Sequence, residues 1–365
     1  MNREMQVISA LLLIIVFIAV GAVMQQTAAI LLPLIIAVLL SFVLSPLVDM
    51  IVRIKVPRIL AIVVIILLLL AIAFGLSMII YSSAQSLMSA FPEYQQRVQG
   101  IISDIIDATG LPDDILSEFN LMQAVAGLAA SFSGGLLEFL GSLVMTMIFL
   151  FFLLMEKPFM RRKVTDAMRG QDTKYIWRII AHMNQQIGRY LSIKLFVSLL
   201  TSVIVAISFR IVGVDFVLIW ALLTFLFNFI PSIGSILITL VASLFAFLQF
   251  FPAWGPFLGA SISMAVTQLL IGNVLDPKMQ GDSLNLSPVV ILFSLLFWGW
   301  LWGVMGMFLA VPLTVAIKII FEHIPSLHWI GIMMGTGNFK DRHRMAQTGK
   351  PGYGKDGHEQ ATSNG

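Results

Sequence analysis

The sequence Asn228-Phe229-Ile230-Pro231-Ser232-Ile233-Gly234-Ser235 interrupts a long apolar stretch in the second half of the chain. An apolar arm at 216–227 precedes this sequence and a second apolar arm at 236–251 follows it. The first arm is too short to cross a bilayer as a helix, because its length of ~18 Å falls short of a hydrocarbon core of about 30 Å. Pro231 lacks an amide donor and Gly234 permits a sharp turn. The pattern therefore predicts a re-entrant helical hairpin over 216–251 with a polar tip.

A second interrupted unit follows closer to the C-terminus. A short apolar arm at 286–298 leads to Gly299-Trp300-Leu301-Trp302-Gly303, and an apolar return arm covers 304–321. The pattern predicts a second re-entrant hairpin over 286–321. Irregular backbone at membrane depth is tolerated only where it is buried in protein or lines a water-filled cavity. Paired hydrophobic segments broken by glycine or proline are the best sequence indicator of a transporter's binding site.

The composition independently assigns the chain to the membrane. It has 365 residues, of which 59% are hydrophobic and 11% are charged, whereas a soluble globular protein is about half apolar and a quarter charged. This charge deficit excludes a cytosolic enzyme, a disordered protein and a secreted disulfide scaffold. The absence of cysteine excludes disulfides, thiolate catalysis and iron–sulfur ligation. The net charge of +3 predicts no nucleic-acid partner, because the basic residues stand between apolar runs.

Further apolar runs predict helices outside the two hairpins. They cover 7–24, 28–48, 59–84, 134–155, 191–212 and 256–271. Most are close to the length of about 20 residues that a crossing needs. We therefore expect an all-α polytopic membrane protein with about six full transmembrane helices and two re-entrant hairpins, which is about eight spans by hydropathy.

The charges of the connecting segments predict the orientation, because loops rich in lysine and arginine remain in the cytoplasm. The segment 156–190 is basic, and its apolar stripe predicts a helix at the inner surface of the membrane. The segment 86–133 is mostly acidic and predicts a small extracytoplasmic helical cap. The first three spans then occupy 1–85, the transport core occupies 191–325, and 326–365 is predicted to be a disordered cytoplasmic tail. We expect a multi-pass protein of the bacterial inner membrane with both termini in the cytoplasm.

Polar residues at the first tip are candidate ligands for a polar solute. Asn228, Ser232 and Ser235 can hydrogen-bond a polyol, or they can cap the tip and satisfy its free backbone groups. Pro231 and Gly234 are expected to act through the shape of the backbone.

The sequence Gly272-Asn273-Val274-Leu275-Asp276-Pro277-Lys278 follows the helix predicted between the hairpins. Asp276 can bind or release a cation, or it can be a solvated acid that caps the next turn and pairs loosely with Lys278. Asn273 lies one turn earlier and has the same two interpretations. The predicted substrate or ion pathway combines this segment with the first tip: Asn228, Pro231, Ser232, Gly234, Ser235, Gly272, Asn273, Asp276 and Pro277.

Three other polar residues lie within apolar runs. Lys194 is near the start of the fifth span and is expected to snorkel to the inner interface. Gln249 and Gln268 lie deeper in apolar sequence, and either could face a cavity.

Three of these segments also carry a family resemblance. They are the N-F-I-P-S-I-G-S run at 228–235, the G-N-V-L-D-P-K run at 272–278 and the L-S-P-V-V-I-L-F-S-L-L-F-W-G-W-L-W-G-V-M-G-M-F-L-A-V-P-L run at 286–313. In this order they resemble the autoinducer-2 exporter family of bacterial inner-membrane transporters, over about residues 7–325. The resemblance implies export of a small, neutral, hydrophilic signal molecule of quorum sensing. The family also contains members similar to sodium(lithium)/proton antiporters.

Secondary transport is the function that the residues favour. We expect export of a small polar solute, autoinducer-2 by the resemblance, through alternating access. The alternative is a sodium(lithium)/proton antiporter, which ranks second because few carboxylates lie deep in the predicted spans. A scaffold that transports nothing would leave the paired hairpins unexplained.

Catalytic motifs are absent from the sequence. It has no P-loop, no H-E-x-x-H and no G-x-S-x-G motif, so we expect neither an enzyme nor a cofactor, and a proton or sodium gradient would drive transport. The expected partners are a small polar solute or a monovalent cation, together with membrane lipid. Gly-x-x-x-Gly pairs at 255–259 and 299–303 allow close helix approach, and we expect a homo-oligomer.

Overall fold

A computed structural model describes residues 3–109, 140–160, 163, 166, 172–281 and 284–336. These residues form helices joined by short connections, and none of them forms a β-strand. We number the helices in chain order: Arg3–Gln26 (α1), Ala28–Arg53 (α2), Arg58–Thr109 (α3), Leu140–Met160 (α4), Asp172–Val212 (α5), Val217–Phe227 (α6), Ile233–Phe250 (α7), Trp254–Thr267 (α8), the π-helix Gln268–Leu275, Asp276–Gln280 (α9), Pro288–His323 (α10) and His328–Met333 (α11).

The helices have the lengths and the composition of membrane spans. Within the described residues, seven helical segments are long and apolar enough to cross a bilayer. They are Ala28–Arg53, Arg58–Ser83, Leu140–Met160, Ile176–Val212, Ile233–Phe250, Trp254–Gln280 and Pro288–His323. Many large apolar side chains on these segments are exposed, as lipid-facing side chains are in a membrane protein. The prediction of an all-α polytopic membrane protein is confirmed.

Two helices continue past the ends that the sequence predicts. The third span is predicted to end near residue 84, but α3 continues as one helix of 52 residues to Thr109. The basic segment 156–190 and the fifth span are predicted as separate units, but both contribute to α5, which has 41 residues. A change from apolar to polar side chains leaves the backbone hydrogen bonds of a helix intact. Residues 110–139, which include the second half of the predicted cap, lie outside the described residues.

The end of α4 is held by a contact with α3. The sequence predicts a span over 134–155, but the helix continues through Pro158 as far as Met160, the last residue described before 163. Pro158 has no N–H group to donate to the carbonyl of Leu154, four residues earlier. The Arg58 guanidinium donates to that carbonyl instead, from Nε at 3.3 Å and from Nη2 at 3.2 Å. This substitute donor explains why the proline does not end the helix.

Part of the segment predicted as a disordered tail, 326–365, is helical. Residues 328–333 form α11, which packs against α10. Gly331 approaches the backbone of Glu322 so closely that a Cβ at Gly331 would lie 2.8 Å from the Glu322 nitrogen. The Ser287 N–H donates to the Met334 carbonyl at 2.9 Å. Tertiary contacts therefore order this short segment, and residues 337–365 lie outside the described residues.

The chain reverses direction between α6 and α7. Ring centroids of Trp220 on α6 and Phe245 on α7 are 5.1 Å apart, although 25 residues separate them in sequence. Gly234 fits the turn because a Cβ at this position would lie 1.8 Å from the carbonyl oxygen of Phe227. The two helices therefore form an antiparallel hairpin with a tip at 228–232, which we call the first tip.

A second reversal lies inside α10. Its helical geometry is interrupted at Trp302 (φ −133°) and Gly303 (φ +62°), a left-handed value that glycine adopts without strain. The indole Nε1 of Trp298 donates to Thr314 Oγ1 at 3.2 Å, whereas 16 residues of continuous helix would extend about 24 Å. The residues around 299–305 are thus the tip of a second hairpin, which we call the second tip.

The first tip packs against the second hairpin. The rings of Phe229 and Phe308 are stacked with their centroids 4.3 Å apart. Ile230 is buried in one cluster with Leu295, Trp298 and Leu301. Each tip therefore covers apolar surface of the other, and the irregular backbone of both lies against protein.

The part of α3 beyond its membrane span contacts the α5–α6 connection. Tyr94 donates from its hydroxyl to Asp215 Oδ2 at 2.6 Å. Burial of the ring and this hydrogen bond raise the pKa of Tyr94 above its usual value, so the hydroxyl remains protonated and donates. Arg97 donates to the carbonyl of Gln249 at the end of α7. These contacts join α3 to the ends of both helices that follow α5.

Replacing Gly234 with alanine should destabilise the first hairpin, because the added Cβ would overlap the Phe227 carbonyl. We expect the midpoint of thermal unfolding in detergent to fall by several degrees, because overpacking typically lowers the free energy of unfolding by ~1–3 kcal/mol. Gly75→Ala is the matched control, since nothing lies within 4 Å of a Cβ at Gly75. Equal midpoints for the two variants would contradict the tight turn.

Candidate functional site

A cavity of about 180 Å³ lies where α5, the first tip, the π-helix, α9 and α10 meet. Its walls consist of Tyr190, Lys194, Asn228, Pro231, Ser232, Ser235, Gly272, Asn273, Asp276, Pro277, Gln280, Leu284, Ile291 and Val311. All the predicted pathway residues except Gly234 are in this wall. Gly234 is buried in the turn behind the tip, where it acts through the backbone. Segments that are distant in sequence thus contribute to one polar site.

The first tip is anchored to α5 through Asn228. Its side chain is buried, and Nδ2 lies 3.3 Å from Ser198 Oγ and 3.4 Å from Thr201 Oγ1. Ser232, at the apex, has a φ of +59°, a strained value for a residue with a side chain. Pro231 precedes it and donates no hydrogen bond. The tip therefore contributes Pro231 and Ser232 to the cavity wall while Asn228 holds it against α5.

The π-helix forms the opposite wall. The sequence predicts that the helix between the hairpins ends at residue 271, but α8 continues through Gln268–Leu275 with the wider π geometry. The Asp276 N–H donates to the carbonyl of Ile271, five residues earlier. Single π segments inside α-helices often occur at functional sites. Here the π-helix carries Gly272 and Asn273 at the cavity and leads directly into Asp276.

A buried ion pair closes one side of the cavity. Lys194 Nζ on α5 lies 2.7 Å from Asp276 Oδ2, and both residues are less than 10% exposed. Gln280 donates to the other carboxylate oxygen of Asp276. The prediction that Lys194 snorkels to the interface is wrong, because the side chain has a partner in the interior. The predicted loose pairing of Asp276 with Lys278 is also wrong, since Lys278 is exposed and Asp276 is bound to Lys194.

Four residues of α5 at this site were not predicted as pathway residues. They follow the spacing of one helix face, i, i+4, i+8 and i+11, and are Tyr190, Lys194, Ser198 and Thr201. All four are buried at 3% exposure or less. A polar stripe on an otherwise apolar span was the available signal, because such a stripe is expected to face protein or a cavity.

The two glutamines in apolar runs have different surroundings. Gln249 does not face the cavity: its Nε2 donates to the Gly213 carbonyl at 2.9 Å and its Oε1 accepts from the Asp215 N–H at 2.9 Å. It therefore fixes the turn between α5 and α6. Gln268 lies at the start of the π-helix and is buried, and its side-chain amide has no hydrogen-bond partner among the described residues.

The site suits a small polar solute or a cation. At about 180 Å³ it is smaller than pockets for drug-sized ligands, which begin at roughly 300 Å³. Its polar wall residues carry hydroxyls, three carboxamides (Asn228, Asn273 and Gln280) and a charged pair, and Leu284, Ile291 and Val311 are apolar. No cluster of histidine, aspartate and glutamate with metal-binding geometry occurs among the residues described. The arrangement offers hydrogen bonds and one exchangeable ion pair.

Removing one partner of the Lys194–Asp276 pair should destabilise the protein strongly, because the other charge would remain buried and unpaired. For Lys194→Met we expect a loss of ~3–5 kcal/mol, and for Lys194→Met combined with Asp276→Leu a much smaller loss. Thermal unfolding in detergent measures both. Lys163→Met, which breaks the exposed Lys163–Glu156 pair, is the control and should change little. A double variant as unstable as the single one would contradict the buried pair.

The whole membrane portion matches one protein family. The family model described as "AI-2E family transporter" covers residues 11–326. A Borreliella burgdorferi protein that is named as a transport protein is 34% identical to this chain over 323 residues. The match covers 88% of this chain and 89% of the Borreliella protein. A similarly named Haemophilus influenzae protein is 30% identical over 348 residues, 92% and 98% of the two chains.

A relative with a substrate in its name is more distant. The Escherichia coli "AI-2 transport protein TqsA" is 28% identical over 320 residues, 85% of this chain and 91% of its own. The match of the family model over the helices, the two hairpins and the cavity means that this chain belongs to the AI-2E family of membrane transporters.

Proposed function

We propose that this protein is a secondary transporter that exports a small polar solute of the autoinducer-2 type across the bacterial inner membrane. The cavity between the first tip, the π-helix and the Lys194–Asp276 pair carries this proposal. It combines hydroxyl and amide groups from broken helices with a size that fits a small solute. The name of the E. coli relative supports the choice of solute.

Alternating access requires an element that can move across the cavity, and the first hairpin is our candidate. Contacts of 3.3 and 3.4 Å from Asn228, one aromatic stack at Phe229 and the apolar packing of Ile230 hold its tip. None of these contacts involves a charged group, so the tip can move without separating an ion pair. A shift of this tip away from α5 would open the cavity on one side. The helices α2, α3 and α4 share a separate apolar core and would form the stationary part.

The charge distribution supports an orientation with both termini in the cytoplasm. The segment 156–190 is basic and includes Lys157, Lys163 and Arg178. Segments rich in lysine and arginine remain on the cytoplasmic side of the membrane. The part of α3 beyond Ser83, with Tyr94 bound to Asp215, would then lie outside the membrane on the far side. In this arrangement the two hairpins are re-entrant elements of the transport core.

The ion pair is our candidate for coupling to an ion gradient. A proton or a sodium ion that binds Asp276 would compete with Lys194 for the carboxylate. Loss of the pair would free α9 from α5 and so change the contacts of the cavity wall. The chain has no P-loop, so an ion gradient rather than ATP would supply the energy.

A sodium(lithium)/proton antiporter is the second candidate, and the same ion pair favours it. Cation exchange needs a buried carboxylate with alternative partners, and Asp276 has this environment with Lys194 and Gln280 as neighbours. The two candidates differ in whether a neutral solute or a sodium or lithium ion leaves the cell in exchange for the coupling ion.

Everted membrane vesicles containing the protein should take up autoinducer-2 in a saturable way when a proton or sodium gradient is imposed. Uptake in this geometry corresponds to export from cells, and vesicles with an empty vector are the control. The gradient that is needed identifies the coupling ion. Proton movement triggered by sodium without any solute uptake would overturn the exporter and favour the antiporter.

Replacing Asp276 with asparagine should uncouple transport from the gradient, because the amide cannot exchange a proton or a cation with Lys194. We expect the concentrative uptake of autoinducer-2 to fall at least tenfold while exchange of solute at equal concentrations continues. Glu156→Gln, at an exposed pair, is the control. Concentrative uptake by Asp276→Asn at the native rate would exclude this residue from coupling. Comparable amounts of folded protein, checked by thermal unfolding, are required for the comparison.

A further inference from the structure

We propose that the C-terminal segment 328–336 is a latch that closes the cavity toward the side of the protein where α5 begins and α10 ends. The latch, which includes α11, holds the segment 284–287 against the apolar side chains next to the cavity. This inference rests on the proposed function, since it names the closure that alternating access needs on the cytoplasmic side. One apolar cluster and three hydrogen bonds carry it.

Apolar side chains close the cavity on one side. Four residues of the cavity wall belong to a buried apolar cluster or pack against it: Tyr190, Leu284, Ile291 and Val311. From the wall this cluster continues back along α5 to Ile179, toward the start of that helix, and forward along α10 to Ile319, toward its end. A polar solute loses its hydrogen bonds with water in such a layer, so it crosses only when the side chains separate.

The segment 284–287 contributes two side chains to this layer and has no helical or strand structure of its own. Leu284 is in the cavity wall, and Leu286 is 5% exposed within the cluster. Between them, Asn285 has a φ of +44°, a left-handed value that is strained for a residue with a side chain. Such a backbone persists only where its surroundings hold it, so contacts from elsewhere in the chain fix the two leucines.

The latch supplies these contacts. Asn285 Oδ1 accepts hydrogen bonds from the Thr336 N–H at 3.2 Å and from the Thr336 hydroxyl at 2.7 Å. The Ser287 N–H donates to the Met334 carbonyl at 2.9 Å, and the Met334 side chain packs against the cluster. Through α11 the other end of the latch packs on α10. The latch therefore joins the end of α10 to the segment that precedes its start.

The three hydrogen bonds of the latch involve no charged group. Asn285 and Thr336 are both exposed, so water can replace the hydrogen bonds between them when the latch opens. Release would free Leu284 and Leu286 from their fixed positions, and the cavity would then open toward the cytoplasm. The first tip lies between α6 and α7, far from this segment in sequence, so the two elements can open the cavity at different times.

Thiol labelling tests the latch without any need for transport. The chain has no cysteine, so Ile291→Cys places a single thiol in the cavity wall. In everted vesicles the cytoplasmic side faces the medium, to which a membrane-impermeant methanethiosulfonate is added. We expect Asn285→Gly, which removes both bonds to Thr336 and fits the left-handed φ, to raise the labelling rate at least tenfold. Asn285→Asp keeps the acceptor oxygen and should label at the rate of the parent.

Leu150→Cys is the control for general loosening, because Leu150 is fully buried in the separate core of α2, α3 and α4. This thiol should stay unlabelled with and without Asn285→Gly. An unchanged labelling rate at position 291 would overturn the latch, and so would an equal increase at position 150.

A crosslink tests whether the latch must open during transport. Asn285→Cys with Thr336→Cys can be joined by a short bifunctional methanethiosulfonate, since the two native side chains are in contact. We expect the crosslink to abolish uptake of autoinducer-2 in everted vesicles and a reducing agent to restore it. Uptake at the unlocked rate after complete crosslinking would contradict the latch. If no variant takes up autoinducer-2, the proposed export fails, while the labelling result still decides whether the latch exists.

Discussion

The buried ion pair between Lys194 and Asp276 is the interaction on which the arrangement of the site depends. It joins α5 to the segment that follows the π-helix, over a separation of 82 residues in sequence. Lys194 and Asp276 are each less than 10% exposed, and a buried charge is stable only beside an opposite charge. The position of α5 relative to α9 is therefore fixed while the pair exists. The cavity is the space that this arrangement leaves between them and the first tip.

The hairpins meet a second requirement, which is that irregular backbone must be covered by protein. Gly234 and Gly306 achieve this in the same way, because each backbone lies against the carbonyl of an aromatic residue at the end of the preceding arm, Phe227 or Trp298. The stack of Phe229 on Phe308 then joins the two hairpins. Compact tips of this kind leave little unsatisfied backbone, so the polar side chain of Ser232 remains available to the cavity.

The proposed function needs two kinds of chemical group in the site, one that binds an ion and one that binds a neutral solute. The buried ion pair would supply a charge for coupling, and polar side chains of the cavity wall such as Ser235 and Asn273 would supply neutral hydrogen bonds. A transporter that couples a neutral solute to an ion needs both kinds of group close together. The fold brings them together because Asn273 and Asp276 lie one turn apart on the same wall.

The sequence by itself determined the membrane class, the two chain reversals and most residues of the cavity wall. Hydropathy and the backbone effects of proline and glycine depend on residues that are neighbours in the sequence, so the sequence alone reveals them. It placed the end of the third span too early at 84 and that of the fourth too early at 155, because helices continue across changes of polarity and a distant Arg58 replaces the donor missing at Pro158. Only the tertiary structure decided the partner of Asp276 and the opposite surroundings of Gln249 and Gln268. Those depend on contacts between segments far apart in the chain, which no local pattern specifies.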